Sequence, residues 1–120
     1  KKNDICYATT NRQEAVKKIA ANCEYFLIIG ASNSSNSLRL VEVAKNYGSR
    51  KAILVEDVDS LNLSIFDNVK NIGITASASS PEILVKKLLN KLKNNFEINI
   101  NEAHYQKEDV YFKVPQALKN

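Results

Sequence analysis

The sequence predicts an α/β domain of three layers built on a small parallel sheet, and three observations carry that prediction. Apolar runs of strand length alternate with segments of helical periodicity. The runs Tyr25-Phe26-Leu27-Ile28-Ile29, Lys51-Ala52-Ile53-Leu54-Val55-Glu56 and Ile72-Gly73-Ile74-Thr75-Ala76 are apolar almost throughout, which implies strands covered on both faces. Two of them pass straight into corners rich in small hydrogen-bonding residues that open helices, Gly30-Ala31-Ser32-Asn33-Ser34-Ser35-Asn36-Ser37 and Ser77-Ala78-Ser79-Ser80-Pro81-Glu82.

In chain order, Ala15, Val16, Ile19 and Ala20 recur at helical spacing and predict a helix from Thr10 to about Asn22. After the strand ending at Ile29, a helix is expected from Asn36 to Tyr47, with Leu38, Leu40, Val41, Val43 and Ala44 inward and Gly48 as its stop. Asp57 to Asn68 reads as a polar connection with a short helix around Ser64 to Asp67. The helix from Pro81 to about Asn94 turns Ile83, Leu84, Leu88, Leu89 and Leu92 inward, with Ser80 as N-cap and Pro81 in the first helical position. Residues 1–95 thus form the α/β unit, and residues 96–120 a tail with weak strands at Phe96 to Ile100 and Val110 to Val114.

At 120 residues and 44% hydrophobic content the chain is one domain large enough to bury a core. No run reaches the length of a membrane span and no export-type segment follows Lys1-Lys2-Asn3-Asp4. Two cysteines without a disulfide framework fit a reducing compartment, so a cytoplasmic protein is expected. The net charge of +4 is modest and its lysines lie on helix faces without interleaved aromatic residues, which argues against nucleic acid. With zero methionines and a start at Lys1, the chain is expected to be a piece of something larger.

In a parallel α/β fold, ligands sit beyond the carboxyl ends of the strands. The first N–H groups of a helix lack internal partners and its dipole favours negative charge, so both serine-rich corners suit an anion. A single Ser or Asn is enough for an N-cap, whereas Ser32 to Ser37 offers six such residues in a row. A third corner, Cys6-Tyr7-Ala8-Thr9-Thr10-Asn11-Arg12-Gln13-Glu14, puts a cysteine ahead of a helix, where a thiol deprotonates readily, and brings it to the same rim. A plain buried cysteine is the competing reading of Cys6. Cys23 reads as structural, because a helix of about 14 residues between the two would hold them roughly 20 Å apart. Glu56-Asp57-Asp59 follows a strand and could bind a metal, but it reads as a solvated turn because no second acidic group or basic partner stands at another strand end, and His104 has no role.

Taken together, Asp4-Ile5-Cys6-Tyr7-Ala8-Thr9-Thr10-Asn11-Arg12-Gln13-Glu14-Ala15-Val16, Asn33-Ser34-Ser35-Asn36-Ser37 and Gly73-Ile74-Thr75-Ala76 with Ala78-Ser79 and Pro81 resemble the C-terminal third of the 4-hydroxy-3-methylbut-2-enyl diphosphate reductases. The resemblance implies a fold of three pseudo-equivalent α/β units around a 4Fe-4S cluster, with one cysteine from each unit. It makes Cys6 a cluster ligand, and Ser34, Ser35, Asn36 and Ser79 the holders of the substrate diphosphate, with Thr9 near the cluster or substrate. It further implies upstream N-terminal units of the same protein and an electron donor of ferredoxin or flavodoxin type. The remaining cysteines, a glutamate and histidines belong to those upstream units, so the piece alone is expected to be inactive. Ser77 stands where that family places a glycine, a position that could require a positive φ. A non-catalytic phosphate-binding module, with Cys6 incidental, is the alternative.

Overall fold

The computed structural model describes residues 2–8, 12–78, 80–105 and 110–113 of the chain. Its elements are β1 (Lys2–Ala8), α1 (Arg12–Ile19), β2 (Tyr25–Ile29), α2 (Ser35–Asn46), β3 (Lys51–Val55), β4 (Asn71–Ala76), α3 (Glu82–Asn95), β5 (Glu97–Tyr105) and β6 (Val110–Lys113). The strands form one sheet in the order β3-β2-β4-β1-β5-β6. β1 to β5 are mutually parallel and β6 returns antiparallel beside β5. The parallel α/β architecture is therefore as predicted. The strand expected over Phe96 to Ile100 runs on to Tyr105 within this same sheet.

β1 is the element that the apolar pattern does not announce. Lys2, Asn3 and Asp4 break any apolar run, yet the strand lies between β4 and β5, with Cys6 opposite both Gly73 and Asn101. Its two sides face different layers: Ile5 and Tyr7 join the cluster beneath α3, and Cys6 packs against the one beneath α1 and α2. β2 divides in the same way, with Leu27 and Ile29 on the α3 side and Phe26 and Ile28 on the other, as the period of a strand requires.

Val85, Leu88 and Leu92 press α3 onto one face of the sheet; Ala15, Val16 and Ile19 of α1 with Leu40, Val43 and Ala44 of α2 cover the other. Two expected core positions lie outside these stripes. Leu38 is 46% and Ile83 70% exposed, because the buried rows run Ser37-Leu40-Ala44 and Val85-Leu88-Leu92 and turn the residues beside them toward solvent. Helix α2 stops as expected: Tyr47 caps it, and Gly48 follows with φ +120°, where a Cβ would meet the Ala21 backbone at 2.8 Å.

The ends of α1 and the polar connection are tighter than predicted. α1 gives way to a 3-10 turn over Ala20–Asn22, and the connection holds 3-10 turns at Val58–Ser60 and Leu63–Phe66. Among the described residues no helix is long and apolar enough to cross a membrane.

Candidate functional site

Because the strands that precede the helices are parallel, the carboxyl ends of β1, β2 and β4 lie on one rim of the sheet. Ile29 and Ala76, the last residues of β2 and β4, are directly paired, so the two serine-rich corners begin side by side. Cys6 pairs with Gly73, three residues before Ala76, which puts it about 10 Å down the sheet from that rim.

At the first corner Ser34 is the N-cap of α2, its hydroxyl accepting from Ser37 N at 3.2 Å. Capping uses only the lone pairs of that oxygen, and its O–H remains a donor. Ser35 and Asn36 are exposed in the first turn, where backbone N–H groups have no intrahelical acceptor. Ser37 is fully buried, and its Oγ accepts from Ala31 N at 3.2 Å. The loop needs glycine at residue 30, since a Cβ there would fall on Ser37 Oγ and approach Ser77 Oγ to 3.3 Å. Ser32 N donates to the Glu56 carboxylate at 2.9 Å, so an anion has its donors on the side of Ser35 and Asn36, away from that charge.

The second corner departs from the expected cap. α3 begins at Glu82 with Pro81 as N-cap and no side-chain capping bond. Ser80 does not cap because its hydroxyl is engaged elsewhere: it donates to the Ile29 carbonyl at 3.1 Å and lies 2.9 Å from Ser77 Oγ. Ser77 is fully buried, and it is not among the residues of positive φ, of which Asn68 is the non-glycine case among those described. The backbone at residue 77 is therefore one that any residue adopts, and the serine there is no strain. Ala78 N donates to Asn36 Oδ1 at 3.2 Å, which ties the two corners together. Ser79, like Thr9, lies outside the described residues.

The distance expected between the cysteines is overturned. Cys23 hydrogen-bonds with Cys6, and the two thiols are not joined in a disulfide. The helix between them is real, but it returns alongside the strand it leaves, so its length is not the separation of its flanking residues. That hydrogen bond, then burial, pushes the Cys23 thiol far above the ordinary range. Iodoacetamide at pH 8 is expected to label the folded chain once, at half-buried Cys6, and twice after unfolding, because Cys23 is 1% exposed. Equal labelling of both in the folded chain, read by mass spectrometry of peptides, would contradict this.

On the other face of β1 the Tyr7 hydroxyl donates to Glu82 at 2.9 Å, linking the residue after Cys6 to the first turn of α3. No sequence signal pairs these residues, which lie 75 positions apart. Arg12 opens α1 at the rim, and its Nε is shielded from solvent without a hydrogen-bond partner among the described residues.

The acidic turn behaves as a turn, with Asp57 capping the 3-10 segment through Asp59 N and Ser60 Oγ. Its basic partners come from a helix and not from another strand end: Lys87 of α3 pairs with Asp59 at 2.8 Å, and Lys91 donates to carbonyls of Val58, Asp59 and Leu61. The backbone hydrogen bond from Asp59, the Ser60 hydroxyl and these lysines hold the Asp57 carboxyl below its usual range, with the Ser60 bond the largest influence. His104 lies on β5.

Among the described residues no group of three or more His, Cys, Asp or Glu side chains could enclose a metal ion. Cys6 fits the role of a single thiolate in a centre shared with residues elsewhere: it is half-buried, on a central strand, below the rim where the uncharged donors gather.

The fold and its rim define a parallel α/β domain of the kind that carries ligands on the loops following its strands. The chain belongs to the LytB protein family, whose model matches residues 1–93. It is 49% identical over 117 residues to 4-hydroxy-3-methylbut-2-enyl diphosphate reductase of Phenylobacterium zucineum, and 45% identical over 118 residues to the enzyme so named in Gluconobacter oxydans. Each match covers 98% of this chain but only 37% and 35% of the relative, so the chain spans about a third of their length. Among solved structures, the E-1-hydroxy-2-methyl-but-2-enyl-4-diphosphate reductase from Plasmodium falciparum superposes with a TM-score of 0.71 at 34% identity, covering 94% of this chain and 36% of that one.

Proposed function

We propose that this chain is the C-terminal third of a 4-hydroxy-3-methylbut-2-enyl diphosphate reductase, one of three similar units, and that it contributes much of the diphosphate cradle and one ligand of an iron-sulfur cluster. The observation that carries the reading is the juxtaposition of Cys6, on the middle of the sheet, with two uncharged donor corners at the rim above it, in a chain that is close to half identical to proteins of that name. The whole reaction is removal of the allylic hydroxyl as water with two electrons and two protons, giving isopentenyl or dimethylallyl diphosphate in the cytoplasm. A ferredoxin- or flavodoxin-type protein supplies the electrons.

Cys6 would offer a soft thiolate to a 4Fe-4S cluster completed by cysteines outside this chain, and such a cluster would relay the donor's electrons to the substrate and act as a Lewis acid toward its hydroxyl. The chain's own donors do the holding. Ser34 O–H, Ser35, the exposed first-turn N–H groups of α2, Asn36 and Ser79 bind the diphosphate with neutral dipoles and the α2 helix end. Ser32 takes no part, since Glu56 occupies its N–H. The hydrogen bond between Tyr7 and Glu82 ties the strand that carries Cys6 to the first turn of α3.

Titration of the 15N-labelled chain with inorganic pyrophosphate tests the cradle. The amide signals of Ser35, Asn36, Ser37 and Ala78 are expected to move together with one dissociation constant, in the millimolar range for a few neutral hydrogen bonds. Shifts confined to the lysines of α3, or none, would remove the cradle from this chain.

A further inference from the structure

We infer that Ser77 and Ser80 are positioning residues that orient the Asn36 side-chain amide toward the anion, an inference that rests on the proposed diphosphate cradle. Asn36 is exposed, and an exposed amide can turn either its oxygen or its NH2 group toward a ligand. Only the NH2 end attracts an anion. Here the choice is made by Ala78 N, which donates to Asn36 Oδ1 at 3.2 Å. An N–H needs an acceptor, so the oxygen is fixed on Ala78 and the two Nδ2 hydrogens are left for the ligand.

Ala78 can do this only if its own backbone is held, and the hydrogen bonds on either side of it converge on one carbonyl. Ser77 N donates to Ile29 O at 2.9 Å, Ser80 Oγ donates to the same oxygen at 3.1 Å, and Ser80 N donates to Ser77 O at 3.0 Å. Since the Ser80 proton points to Ile29, the Ser77 hydroxyl is the donor in the 2.9 Å contact between the two Oγ atoms. The pair therefore closes a turn around Ala78 and pins it to the end of β2, the strand that leads into the Asn36 corner. Ser77 is fully buried and does not reach the ligand itself; its effect passes through Ala78 and Asn36.

The test uses the 120-residue chain and inorganic pyrophosphate, with hydrogen exchange at the Ala78 amide and the Asn36 NH2 resonances as readouts that need no ligand. Ser80→Ala is expected to speed Ala78 exchange at least about tenfold, to bring the two Asn36 NH2 proton shifts together, and to weaken pyrophosphate about tenfold, the worth of one lost oriented hydrogen bond. Ser80→Thr, which keeps the hydroxyl, restores all three. Asn36→Asp keeps the acceptor, so Ala78 protection survives while pyrophosphate binding is lost. In the full-length reductase Ser80→Ala should raise KM about tenfold with kcat within about twofold. Unchanged Ala78 exchange and unchanged Asn36 resonances in Ser80→Ala would overturn the inference. If the unmodified chain fails to bind pyrophosphate while Ser80→Ala still frees Ala78 and Asn36, the cradle reading falls and the positioning contact stands.

Discussion

Exchange of Cys6 for serine in the full-length protein is expected to strip iron from it and to reduce reductase activity more than about a hundredfold, beyond the loss typical of a residue that only supports a ligand. The reason lies in the ligand atom. A serine hydroxyl stays protonated near neutral pH and is a hard oxygen, whereas iron-sulfur clusters are held by soft, readily ionised thiolates. The substitution is nearly isosteric at a half-buried position, so the sheet should survive it and the melting temperature should change little. Iron content, visible absorbance and turnover measured on the same preparation check the expectation. Full iron and activity in Cys6→Ser would return the chain to the alternative, a phosphate-binding module in which this cysteine is incidental.

Gly73→Ala is expected to be the most destabilising small change in the sheet, at about 3 kcal/mol, the upper part of the range for overpacking a core. A Cβ on Gly73 would be driven into the ring of Phe26, with Cζ only 2.8 Å away. That ring is fully buried and has no room to swing aside. The same row of the sheet carries Cys6, opposite Gly73, so the distortion lands next to the proposed ligand. Urea unfolding of Gly73→Ala, Phe26→Leu and the double variant separates the causes. The double variant should be more stable than the sum of the two losses predicts, because leucine removes the colliding edge. Strict additivity would mean that Gly73 matters for some reason other than Phe26.

The parts of the molecule that could be read from sequence are those whose signal is local. The Gly48 stop and the apolar strands β2, β3 and β4 each depend on a few consecutive residues, and all are present. What escaped depends on returns of the chain. β1 is a central strand with a polar beginning, and its apolar alternation at Ile5 and Tyr7 is too short to stand out. The contact of Cys23 with Cys6 was hidden by treating a helix as a spacer, although a crossover helix lies antiparallel to its strand and brings its far end back along the sheet. Ser80 looked like a cap because serine precedes proline at a helix start; only the folded corner shows Ile29 O and Ser77 competing for its hydroxyl.

The place of β1 in the sheet has a consequence for how the chain is made. Its first neighbour, β4, begins at Asn71 and its second, β5, at Glu97, so this strand in the middle of the sheet is made well before either of its partners. While the rest emerges from a ribosome, β1 waits as an open edge with its backbone donors and acceptors unanswered, a state prone to pairing with other chains. Shortening the gene to end at Asn95 would preserve α1 to α3, both anion corners and the pairing of β1 with β4, yet leave the β5 side of β1 permanently open. Such a product is expected to collect in inclusion bodies, which would make the final strands a cover for the middle of the sheet.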